Sequence, residues 1–145
     1  MKSVPIMAEN YSMVMLSIDK ALKVESKEVL YKAGEILASE SFKHVKASNL
    51  KEALSLITAF YADRGLGRLF VDGANKGVLL VRMYDCATCL AVKEDGKTHC
   101  WMDAGLIAGA LKEMLQTDYV VIETKCRGTG SEYCEFMIAR KRFRR

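Results

Sequence analysis

One proline, one tryptophan and two histidines are spread over 145 residues. With no stretch rich in proline, glycine or serine, nothing reads as an interdomain linker, and no segment repeats at the 20- to 50-residue periods of solenoids. His44 and His99 form no His-Glu-x-x-His pattern, which removes the helix that carries catalytic zinc in many hydrolases. Neither Gly65-Leu-Gly67 nor Gly128-Thr-Gly130 continues into a dinucleotide fingerprint between a strand and a helix. No apolar run reaches the roughly 18 residues needed to span a membrane, and the N-terminus carries only Lys2 before a mixed stretch, with no signal-peptide core. A cytoplasmic location is expected.

What is present fits a soluble globular domain: half of the residues are hydrophobic and 28% are charged. A chain of this size buries roughly two thirds of its unfolded surface, so residues 1–145 are expected to share one core. The net charge is +4, but Arg140, Lys141, Arg142, Arg144 and Arg145 supply five of the 22 positive charges, and without them 17 face 18 negative ones. The basicity belongs to a tail over residues 140–145, which argues against a nucleic-acid footprint on the domain body. The tail reads either as a contact for RNA, anionic lipid or an acidic partner, or as a solvated end.

Residues 12–24 mix helical and strand periods, with helix the first reading. From Ser26, a good N-cap, the apolar positions Val29, Leu30, Ala33, Ile36 and Leu37 predict a helix to about Phe42. Asn49 with Glu52 resembles a capping box, opening a second helix that Gly65 stops. Residues 68–71 and 78–84, separated by Asp72-Gly-Ala-Asn-Lys-Gly77, have the composition of a hairpin, and a further strand is expected near Leu90 to Val92. Cys100 opens a third helix with Met102, Leu106, Ile107, Ala110, Leu111 and Met114 at helical spacing. Residues 119–126 and 133–138 then bracket a glycine-containing turn. This order predicts an α+β fold, an antiparallel sheet with helices packed mainly on one face.

Five cysteines, an odd number, suit metal or free thiols better than a disulfide framework. Cys100, Glu123, Cys126 and Cys134 are three thiols and a carboxylate, the donor types a tetrahedral zinc ion accepts. Cys100 lies near a helix start, where the positive end of the helix dipole favours a thiolate. Positions three apart on a flat strand face opposite ways, so Glu123 and Cys126 converge only if twist or a bulge intervenes. The alternative is that these cysteines are small buried apolar residues. Cys86-Ala-Thr-Cys89 reads as half of a further zinc site, a redox pair, or ordinary strand or loop residues. His99 stands beside Cys100 as a substitute for Glu123.

Cys100-Trp-Met, the helix with Gly105 and Gly109, Glu123-x-x-Cys126-Arg-Gly-x-Gly, the final Cys134 and Leu30-Tyr-Lys-Ala-Gly34 together resemble the 4-vinyl reductase domain family. That family includes sensor domains of phenol- and aromatic-responsive bacterial activators and archaeal hydrocarbon-binding proteins, and is distantly similar to TRAPP tethering subunits. The resemblance covers residues 25–140. It implies a TRAPP-like α+β ligand-binding domain, often a homodimer, with structural zinc held by Cys100, Glu123, Cys126 and Cys134. At 145 residues the chain is expected to carry neither the ATPase nor the DNA-binding domain that accompanies the aromatic sensors. With the resemblance, Phe60, Tyr61, Tyr84, Ala104, Ala108 and Leu111 become candidate lining for an apolar or aromatic small molecule. The expected function is a small-molecule sensor domain braced by zinc. A 4-vinyl reductase-like or zinc-dependent enzyme and an assembly or tethering subunit are the alternatives, and four protein ligands leave no open position for catalytic water.

Overall fold

The computed structural model describes residues 7–142; of the basic tail, Arg144 and Arg145 lie outside the described residues. Helix α1 (Ala8–Leu22) runs through a short 3₁₀ turn (Lys23–Glu25) into α2 (Ser26–Ser41), followed by α3 (Leu50–Asp63). Strands β1 (Arg68–Asn75) and β2 (Val78–Tyr84) form a hairpin. After a loop comes α4 (Trp101–Leu115), then β3 (Tyr119–Lys125), a 3₁₀ turn (Arg127–Thr129) and β4 (Cys134–Arg140). The sheet is antiparallel throughout in the order β1-β2-β4-β3, so the expected α+β class is the observed one.

One face of the sheet buries Leu69, Val81, Met83, Val121, Glu123, Cys134, Phe136 and Ile138 beneath the helices. Phe70, Val120 and Ile122 stand on the other face, which is open to solvent. Two-residue alternation of side chains along each strand produces this division.

Between α2 and α4 the backbones meet almost directly. A β-carbon on Gly105 would lie 1.9 Å from the Tyr31 carbonyl oxygen, and one on Gly34 would lie 2.1 Å from that of Met102. The small residues of both helices are used in this approach, which fixes α4 and with it Cys100 at its N-terminal end.

Several local expectations change. Ser26 is the first residue of α2 rather than its cap, because the 3₁₀ turn joins α1 to α2 without a break, and its hydroxyl donates to Asp19 Oδ1. At α3, Asn49 Oδ1 accepts from Glu52 N at 2.9 Å, but the glutamate reaches back to Ser48 N (2.7 Å) instead of Asn49 N. No strand forms at residues 90–92: Val92 N donates to Cys89 O at 3.0 Å, closing a turn, and both edges of β2 are already taken by β1 and β4.

Candidate metal centre

All five cysteines are buried and free. The β3–β4 register shifts between Glu123 and Lys125, so one β4 step spans two residues on β3. This bulge at Thr124 resets the alternation, and Glu123 and Cys126, which a flat strand would separate, both turn inward. Cys126 then caps the following turn, its Sγ accepting from Gly128 N at 3.2 Å.

Of the four residues picked out as ligands, Cys100, Glu123 and Cys126 have donor atoms mutually within 4.8 Å. Cys134 joins a different group, in which the thiols of Cys86, Cys89, Cys100 and Cys134 are mutually within 4.8 Å. Cys100 belongs to both. Its Sγ lies 3.6 Å from that of Cys86 and 3.6 Å from that of Cys134, and Cys89 lies 3.5 Å from Cys134. In a regular tetrahedron with metal–sulfur bonds of about 2.3 Å the sulfur atoms are about 3.8 Å apart, so this donor set fits a tetrahedral ion. The participation of Cys86 and Cys89 had one signal in the sequence, the C-x-x-C spacing.

The loop carrying Cys86 and Cys89 is held from two sides. Ala87 N donates to Leu66 O at 2.9 Å, while Ser12 of α1 donates to Thr88 O (2.9 Å) and accepts from Ala91 N (2.7 Å). Cys100, the N-cap residue of α4, is fixed through its backbone N–H, which donates to Glu123 Oε1 at 2.9 Å. Glu123 Oε2 is buried without a hydrogen-bond partner. Burial, with the neighbouring Cys126, pushes the Glu123 carboxyl up to about 9. Within the thiol cluster, the proximity of Cys100 pulls Cys86 well down and Cys89 down to about 4, whereas the proximity of Cys126 pushes Cys100 well up.

A second polar group lies deeper. Tyr61 donates to Asp103 Oδ1 at 2.8 Å, and burial raises the Asp103 carboxyl to about 6. His99 is engaged at both ring nitrogens, by Asp19 Oδ2 (2.6 Å) and Asp95 Oδ2 (2.8 Å).

Among the candidate pocket residues, Phe60, Tyr61, Ala104, Ala108 and Leu111 are buried in the core. Tyr84 is separated from them. Its neighbour Met83 faces the helices, so Tyr84 points to the open face of the sheet and packs edge-on against Phe70 and tilted against Tyr133 at ring distances of 5.8 and 5.6 Å. Two of the clefts formed by the described residues border the sheet. One, of about 320 Å³, is lined by Cys86, Cys89, Cys134, Met83 and Arg127 among others. The other, of about 570 Å³, lies between α3 and the β1–β2 hairpin and is lined by Leu50, Leu54, Val71 and Leu79 with Lys51, Ser55 and Thr58. Among the described residues no helix is long and apolar enough to cross a membrane.

Residues 79–140 match the family model of the V4R domain. Two uncharacterized proteins of Methanocaldococcus jannaschii are 27% identical over 123 residues, 85% of this chain and 70% of theirs, and 33% identical over 111 residues, 76% of this chain and 62% of theirs. The chain thus spans about two thirds of the length of these relatives.

Among solved structures, the phenol-responsive sensory domain of the transcription activator PoxR with phenol superposes with a TM-score of 0.67 at 13% identity, over 97% of this chain and 77% of that one. A vinyl-4-reductase family protein from Methanocaldococcus jannaschii gives 0.64 at 17% identity, over 97% and 85%. Trafficking protein particle complex subunit 3 from Naegleria fowleri, covalently bound to palmitic acid, gives 0.67 at 19% identity, over 95% of both chains. At these identities the structural likeness speaks for the fold. Over residues 79–140, which hold every cysteine and Glu123, the resemblance to the 4-vinyl reductase domain family is borne out by the V4R match.

Proposed function

We propose that this chain is a small-molecule-binding sensor domain whose core is braced by a structural zinc ion. The observation that carries the reading is the buried thiol cluster joining the β2–α4 loop, the start of α4 and the β3–β4 hairpin, within a fold shared with a phenol-responsive sensory domain. The ligand set implied by the family resemblance is Cys100, Glu123, Cys126 and Cys134. Zinc bound by several protein thiolates would supply cross-linking rather than chemistry, since a closed shell leaves no position for an activated water.

The ligand is an apolar or aromatic small molecule, and the α3/hairpin cleft suits it: an apolar wall of Leu50, Leu54, Val71 and Leu79, with Ser55, Thr58 and Lys51 as the few polar groups that orient a guest. A ligand seated instead among Phe60, Tyr61, Ala104, Ala108 and Leu111 would have to part α3 from α4, because those side chains are already buried against each other. Exposed Met13 and Val14 on α1 and Val29 and Ile36 on α2 support a homodimer through these helices.

Native mass spectrometry of the purified protein, followed by thermal shifts with phenol and with palmitic acid as probes, tests the reading. Bound zinc, together with a co-purifying small molecule or a probe-dependent rise in Tm that L54W abolishes, is the expected result. Less than about 0.2 zinc per chain under reducing, metal-replete conditions would overturn the brace. The sensor role would be overturned by the lack of any co-purifying molecule together with no Tm response to either probe.

A further inference from the structure

The family resemblance leaves Cys86 and Cys89 without a part, yet their thiols lie mutually within 4.8 Å of those of Cys100 and Cys134. We infer that Cys86, Cys89, Cys100 and Cys134 form a tetrathiolate site for one tetrahedral divalent metal ion, zinc in the first instance, with Glu123 and Cys126 positioning that site rather than completing it. This rests on the reading that the thiols hold an ion, and it replaces the ligand set the resemblance implies.

Three geometric observations support it. First, the four thiols are mutually within 4.8 Å, and three of their pairs stand at 3.5–3.6 Å, close to the edge of a metal–sulfur tetrahedron, so little backbone movement is needed to close on an ion. Glu123 and Cys126 share a group with Cys100 but not with Cys134. Second, Glu123 and Cys126 already have structural work. Glu123 Oε1 accepts from the Cys100 backbone N–H at 2.9 Å, holding the ligand-bearing end of α4, and Cys126 Sγ accepts from Gly128 N at 3.2 Å in the turn that leads to β4. Metal ligands are commonly oriented by such outer contacts. Third, the cleft of about 320 Å³ is lined by Cys86, Cys89 and Cys134, which gives an ion a path to the cluster from the side of the C-x-x-C loop.

The set is chemically coherent: four soft thiolates at tetrahedral spacing select zinc or a similar metal over magnesium or calcium, which prefer oxygen. It also places one pair of ligands on a short loop and the other two on α4 and β4, so that a single ion ties all three to one point. As ligands, Cys86 and Cys89 would be withheld from disulfide formation.

X-ray absorption at the zinc edge of the metal-loaded wild-type chain decides the composition of the shell without any substitution. Four sulfur scatterers at about 2.3 Å are expected, where the resemblance-derived set would give three sulfurs and one oxygen. Zinc titration against a chromophoric chelator, with circular dichroism to verify folding, extends the test to variants. C86S and C89S should each weaken zinc binding at least about tenfold, while C126S and E123Q keep the four-sulfur shell. A shell of three sulfurs and one oxygen in the wild type, unchanged affinity in the C86S/C89S double variant, or loss of a sulfur from the shell in C126S would overturn the inference and leave the zinc brace standing. A wild-type chain that takes up no zinc would overturn both.

Discussion

Replacing Gly105 by alanine tests the close approach of α2 and α4. The new β-carbon would lie 1.9 Å from the Tyr31 carbonyl oxygen, with Tyr31 C at 2.7 Å and Cα at 2.9 Å. Every one of these neighbours is backbone, so no side chain can swing aside. Restoring even a 3.0 Å separation requires the helices to part by about 1.1 Å, the difference between 3.0 and 1.9 Å. Overpacking of a tight core costs about 1–3 kcal/mol, and a backbone clash belongs at or above the top of that range, about 3–4 kcal/mol. Alanine returns about 1 kcal/mol through its better helix propensity, leaving a net loss of about 2–3 kcal/mol. For a chain of 145 residues this corresponds to a fall in Tm of about 6–9 °C. Circular-dichroism melts of G105A should be compared with G73A, where an added β-carbon meets nothing within 4 Å and the change should stay within about 0.5 kcal/mol. A G105A chain that melts with the wild type would refute the claim that glycine is required at this crossing.

Three other outcomes follow from hydrogen bonds in the core and at its edges. Y61F deprives the buried Asp103 Oδ1 of its 2.8 Å donor, while Asp103 Oδ2 has none, so urea unfolding should show a loss of about 1–3 kcal/mol, larger than for a tyrosine-to-phenylalanine change on the exposed face. S12A removes both hydrogen bonds from Ser12 to the cysteine loop, which should cost about 1–3 kcal/mol and speed amide exchange at Ala91 before the sheet is affected; unchanged exchange there would contradict the latch. N49A removes the α3 cap and should lower stability by about 1 kcal/mol in the same denaturant assay, with S48A, whose backbone donor is retained, close to neutral.

The order of elements could be read from the sequence because α2, α3 and α4 carry continuous apolar stripes and the hairpins carry clear turns. Residues 90–92 misled because an apolar tripeptide carries no information about whether a sheet edge is free to receive it. The direction of Tyr84 was equally hidden: it depends on which strand face Met83 takes, and a one-residue difference exchanges the core for solvent. The thiol cluster was half legible. Cysteine types and spacing marked Cys100, Cys126 and Cys134, and the bulge that Glu123 required was foreseeable only as a condition. That Cys86 and Cys89 come to rest against Cys100 and Cys134 depends on contacts of the loop with Leu66 and Ser12, each distant in sequence, and no local pattern encodes them.

Through the Ser12 hydroxyl, a helix with Met13 and Val14 exposed grips the loop segment that carries Cys86 and Cys89. A partner that steadied α1 from outside would therefore steady the thiols within, and by thermodynamic reciprocity an ion held by those thiols would strengthen the partner's attachment by the same factor. Metal supply and self-association would then be two readings of one equilibrium, and the concentration of protein at which copies pair should fall as zinc is added.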